Sequence, residues 1–218
     1  MKTFLHSWSA AWLLAQHLVP ATAAFSDPPN ATVIPLWAND CREWPNYQNV
    51  RGVDVTGAFT FVSAQTQDEG SNGLRVQAQP YRDGNNGTHR VLVVDVRKSG
   101  LLSTIMTSHC NNGTVFYGYA GLEAKPPFVV DSNSGVLRPE GTGLKLEPYA
   151  HAIDGVRQPG VFLGARNLTT WGFDYVQPAD CGSRDYYSIW LLGVSDRSQY
   201  SPGGRTPMLR GFIKAEGL

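Results

Sequence analysis

Glycine and proline divide this chain into short pieces, and that limits what it can fold into. Twenty-three Gly and 14 Pro are spread through 218 residues. Glycine loses the most conformational freedom on ordering and proline lacks an N–H, so both interrupt regular structure. The pieces between them are rich in Val, Phe, Tyr and Thr, the pattern of many short strands. After residue 24 no stretch repeats its apolar residues every 3.6 positions, so an all-β fold is expected.

About eleven strands are expected from the runs themselves. Ala58-Phe-Thr-Phe-Val-Ser-Ala-Gln65 reads as one. Leu74-Arg-Val-Gln-Ala-Gln79 alternates cleanly, as a strand with one wet face does. Arg90-Val-Leu-Val-Val-Asp-Val96 is nearly continuous and reads as a central strand. Asp83-Gly-Asn-Asn-Gly87 between these two is turn chemistry and predicts a hairpin. Thr114–Tyr119, Phe128–Val130, Val136–Leu137, Gly143–Glu147, Gly160–Leu163, Thr170–Tyr175, Tyr186–Leu192 and Leu209–Ile213 complete the set. Runs such as 91–94 need both faces covered, which points to a single antiparallel two-sheet β-sandwich. A β-trefoil is the alternative.

Three segments are expected. Residues 1–24 read as a cleaved signal peptide: Lys2, an apolar stretch from Ala10 to Val19, then small residues Ala21 to Ala24. The apolar stretch is shorter than the about 20 residues that span a bilayer. Residues 25–57 read as an N-terminal arm or long loop, with packing the expected role of Trp37 and Trp44. Residues 58–218 form the all-β domain. No later segment looks long and apolar enough for a membrane, so a secreted, extracellular product is expected.

Four sequons agree with export: Asn30-Ala-Thr, Asn86-Gly-Thr, Asn112-Gly-Thr and Asn167-Leu-Thr. In a eukaryotic host these predict N-glycosylation at exposed positions, and the Gly after Asn86 and Asn112 favours turns. Eighteen basic and 18 acidic residues balance, and losing Lys2 leaves about −1. With no basic stripe, nucleic acid is not an expected partner.

Chemistry is sparse. The mature histidines are His89, His109 and His151, and the adjacent His109 and Cys110 point to opposite faces of a strand, so no metal site is expected. No G-x-S-x-G elbow occurs, and neither catalytic residues nor cofactors are expected. A small glycoside hydrolase would need two carboxylates at a set separation. Asp95, Asp131, Glu140, Glu147 and Asp174 lie in or beside strands, where surface and turn roles are the simpler reading. Trp171, Tyr175, Tyr186, Tyr187 and Trp190 cluster near Cys181. Trp171 and Tyr175, on one strand face, are the candidates for a carbohydrate-binding surface, against core packing as the simpler role. Of Cys41, Cys110 and Cys181, two are expected to pair in an oxidising compartment, and spacing leaves all three pairings open.

Several runs resemble the fungal secreted phiA-type cell-wall proteins and their IgE-binding-protein-like relatives. They are Phe59–Ala64 and Leu74–Pro80 near the front, Phe128-Val-Val-Asp-Ser-Asn-Ser-Gly135, and Trp171–Cys181 followed by Tyr187-Ser-Ile-Trp190. The resemblance covers roughly residues 58–215. Gly182 stands where the pattern often has Pro, and residues 28–57 are extra. The resemblance implies a non-enzymatic extracellular or wall-associated β protein, with cell-wall polysaccharide as its partner. It also implies a Cys110–Cys181 disulfide.

Overall fold

The computed structural model describes residues 28–50, 52–82, 88–95, 106–118, 127–139, 141–177, 185–195 and 209–218. The signal expected at 1–24, Asn86 and Cys181 lie outside the described residues. Seventeen strands occur within them, and no α-helix. The first eight are β1 (Thr32–Pro35), β2 (Tyr47–Val50), β3 (Val53–Thr56), β4 (Phe59–Ala64), β5 (Val76–Arg82), β6 (Thr88–Asp95), β7 (Thr107–Asn111) and β8 (Thr114–Gly118). Then come β9 (Val129–Val130), β10 (Leu137–Arg138), β11 (Leu144–Lys145), β12 (Glu147–Ile153), β13 (Val156–Arg157) and β14 (Val161–Gly164). The chain ends with β15 (Trp171–Val176), β16 (Tyr186–Leu191) and β17 (Leu209–Gly217). All named pairings are antiparallel, and the fold is the expected all-β sandwich.

The C-terminal strand β17 organises it. One edge pairs with β4 from Phe212 to Gly217. The other edge pairs first with β15, at Leu209 to Gly211, and then with β14, at Lys214 and Ala215. β14 leads to β12, which also takes β1 and β13. β15 leads through β16 and β6 to β5, and an isolated bridge from Val62 to Arg75 returns this layer to β4. A separate small sheet has the order β10–β9–β11. The sheet thus divides at β17, and its inner faces enclose one main core that includes Phe59, Phe61, Val94, Leu163, Trp171, Ile189 and Ile213.

Alternation along β17 makes a second, smaller cluster. Leu209, Ile213 and Ala215 face the main core, while Phe212 points to the other side of the sheet and is still only 3% exposed. There it joins Tyr149 and Phe162, with Ala31, Val33 and Ala64 packed around them.

The segment 28–57 is more than the loop expected of it. It contributes β1 to the edge of β12 and the β2–β3 hairpin, which joins β7. Trp44 is buried and stacks on Phe59, with centroids 5.7 Å apart and planes at 10°. Trp37 is 62% exposed.

The Cys110–Cys181 pairing is corrected: Cys110 bonds Cys41, across a Cα–Cα distance of 5.6 Å. Alternation in β7 turns Cys110 inward, beneath the loop that carries Cys41. That loop is pinned from both sides. The Cys41 N–H donates to the Asp54 carboxylate at 3.0 Å, and the Gly113 N–H meets Cys41 Sγ at 3.3 Å. Gly113 sits against the Asn39 backbone, where a Cβ would approach within 2.6 Å.

Candidate functional site

A groove of about 270 Å³ opens where the sheet divides, above the second cluster. Three distant segments meet there: Pro28 to Val33 leading into β1, Thr169 and Thr170 before β15, and Arg210 and Phe212 of β17. Pro28, Pro29, Val33 and Phe212 give it apolar walls. Asn30, Thr169, Thr170 and Arg210 supply polar groups. Arg210 is exposed, and its guanidinium has no ion pair among the described residues.

His151 lies beneath the groove and is fully buried. Its ring stacks on Phe162 at 3.9 Å and meets the edge of Phe212 at 4.3 Å. Nε2 lies 2.9 Å from Thr169 Oγ1, whereas Nδ1 has no hydrogen-bond partner among the described residues. Burial pushes its pKa down to about 4, so the ring is neutral at pH 7. Beside it the Tyr149 hydroxyl bonds Glu147 and accepts from the Asn167 N–H at 2.8 Å. Burial and the Glu147 carboxylate both raise the Tyr149 pKa.

The described sequon asparagines are all exposed. Asn30 lines the groove. Asn112 and Gly113 join β7 to β8 with φ of 47° and 68°, as a two-residue type I′ hairpin turn requires. Arg166 and Asn167, φ 52° and 63°, turn the chain between the bridged Ala165 and Leu168.

The two carbohydrate candidates separate. Trp171 is fully buried and its Nε1 donates to the Leu163 carbonyl at 3.0 Å, so it is core and offers no face to a sugar. Tyr175 is 39% exposed, and its hydroxyl donates to Asp185 at 2.5 Å, which raises its pKa. Its ring meets Tyr187 at 63°, edge to face. Trp190 is also fully buried.

The carboxylates are scattered. Asp131 caps the β9–β10 turn, accepting from the N–H groups of Asn133 and Ser134 at 3.0 and 2.9 Å. Glu147 is held by Tyr149 and by the Arg166 N–H at 2.9 Å. Asp174 lies in β15, Asp95 in β6, and Glu140 outside the described residues. No three His, Cys, Asp or Glu converge on a metal-binding geometry among the described residues.

The sequence reading missed Arg210, Phe212 and His151 as neighbours. Each lies in ordinary strand sequence, and only the meeting of β1, β12 and β17 brings them together. The sequons Asn30-Ala-Thr32 and Asn167-Leu-Thr169 were the local signals that touched this site. No protein-family model matches the chain, and no curated protein matches it in sequence.

Proposed function

We propose that this chain is a secreted, N-glycosylated protein of the fungal extracellular matrix or cell wall, acting by binding rather than catalysis. The observation that carries the reading is the position of the sequons. Asn30, Asn112 and Asn167 are all exposed, and two of them occupy tight turns. The buried Cys41–Cys110 crosslink suits an oxidising compartment. The test is peptide mapping of the protein secreted from a fungal host, before and after endoglycosidase. Glycopeptides at two or more sequons, with residues 1–24 removed, are expected. Retention inside the cell, or unmodified sequons throughout, refutes the reading.

Wall association is the finer part. It draws on the resemblance over 58–215 and on Trp37, whose 62% exposure leaves an indole face open to stack on a sugar ring. Cosedimentation with insoluble β-glucan and chitin tests it. The Trp37→Ala variant should lose binding several-fold. Equal sedimentation of wild type and variant removes Trp37 from the account.

A further inference from the structure

We infer that the groove between β1, Thr169–Thr170 and β17 is the seat of the chain's own glycan, attached at Asn30. The inference rests on the glycoprotein reading above and assigns that glycan a structural task.

The argument starts from the second cluster. Tyr149, Phe162 and Phe212 lie on the outward side of a sheet whose other face already forms the main core. Ala31, Val33 and Ala64 pack around them, and the groove opens beside this packing, between Pro28–Val33 and β17. Asn30 forms part of the groove wall and is exposed, and its side chain makes no hydrogen bond among the described residues. The first N-acetylglucosamine on its amide nitrogen therefore begins at the groove.

The lining suits a sugar. Saccharide rings carry apolar C–H faces and a rim of hydroxyl and acetamido groups. Pro29 and Val33 offer apolar surface for the faces, while Thr170 and Arg210 offer partners for the rim. The Arg210 guanidinium has no ion pair among the described residues. A volume of about 270 Å³ lies just below the range of small-ligand sites, about 300–1,000 Å³. That is a fit for the proximal sugars of a tethered chain. Tethering raises the local concentration of the glycan, so contacts too weak for a free sugar suffice.

The test uses the full chain secreted from a fungal host, with occupancy of each sequon mapped first. The melting temperature is then compared for wild type, Asn30→Gln, Asn112→Gln and wild type trimmed to one N-acetylglucosamine per site. Asn30→Gln should lower Tm by about 3 °C or more, while Asn112→Gln stays within about 1 °C. The trimmed protein should keep most of the Asn30 contribution. Arg210→Ala should lower Tm in the glycosylated protein and have no effect in the Asn30→Gln background, because the partner is then already gone.

Occupied Asn30 with equal Tm for both Gln variants overturns the inference and leaves the glycoprotein reading intact. So does an unmodified Asn30 beside modified Asn112 and Asn167. Unmodified sequons throughout overturn both.

Discussion

His151 is the residue whose chemistry is most altered by the fold. It packs as a neutral ring, stacked on Phe162 and edge-on to Phe212, and its folded pKa falls from 6.5 to about 4 because burial penalises the cation. Tyr149 shares its strand face, and Arg210 and Lys214 flank Phe212 on the same side of β17. Tyr149 stays neutral, its pKa raised by burial and Glu147, and Lys214 is paired with Glu216 at 2.9 Å. The unfolded chain takes a proton at this histidine below about pH 6.5, and the folded chain resists it until about pH 4. The unfolded state therefore binds more protons inside that window, so stability is full above pH 6.5 and falls as the pH drops toward 4. The loss is on the order of 3 kcal/mol. Asp131 contributes in a separate, more acid window. Burial works to raise its pKa, but the hydrogen bonds from Ser134 and Asn133, together with Arg138, outweigh that and hold it below 3.8. His151→Phe keeps the aromatic stack and strands the Thr169 hydroxyl, at a cost of about 1 kcal/mol at neutral pH. Its Tm should then change less than wild type between pH 6.5 and 4.5, so the two curves converge. Parallel curves would show that His151 does not carry the pH dependence.

At the scale of elements, legibility followed the chemistry that each strand carries in its own residues. β4, β6, β15 and β16 announce themselves because their β-branched and aromatic runs are dense, and β5 because its polar residues alternate. The Asn112-Gly113 turn was legible because type I′ geometry demands residues that tolerate positive φ. β12 was hidden beyond Glu147. Pro148, Tyr149, Ala150 and His151 look polar or small, yet Ala150 and His151 are both fully buried, because this strand is covered on both faces. β1 ends in Pro35, which a strand tolerates at a sheet edge. Trp37 and Trp44 look alike as residues of a Pro- and Asn-rich stretch. Their fates differ because the Trp44 N–H bonds the Cys41 carbonyl at 3.1 Å, and Cys41 is locked to β7. The Cys41–Cys110 pairing was not legible for a related reason. It depends on Asp54 and Gly113 holding the loop over β7, and neither contact leaves a trace in cysteine spacing. The groove was the least legible feature, since no single run of sequence contains more than one of its walls.

For the whole molecule, the decisive fact is that β17 comes last in the chain and stands between β4 on one side and β14 and β15 on the other. The pairing of Phe59 with Gly217 joins residues 158 positions apart, so the sandwich cannot close until β17 has been made. Long-range pairings of this kind also fold slowly. This order of events matters for Asn167. The hydroxyl that completes its sequon belongs to Thr169, which is 2% exposed in the folded protein and bonded to His151. Thr32, the corresponding residue for Asn30, is exposed, and Thr114, for Asn112, is half-buried. A glycosylating enzyme that needs the Thr hydroxyl can read Asn167 only before β14 and β15 dock against β17, an interval that lasts until β17 is made. Asn167 should therefore be modified when the chain enters the secretory pathway unfolded, and refractory once folding is complete. The comparison requires unglycosylated chain made in bacteria and refolded with its disulfide intact. Offered to an oligosaccharyltransferase preparation in vitro, the folded protein should accept glycan at Asn30 and at least ten-fold less at Asn167. The same protein reduced and denatured should accept it at both. Equal modification of Asn167 in the two states would mean that the Thr169 hydroxyl is released locally without unfolding the sandwich, and the argument from β17 would fail.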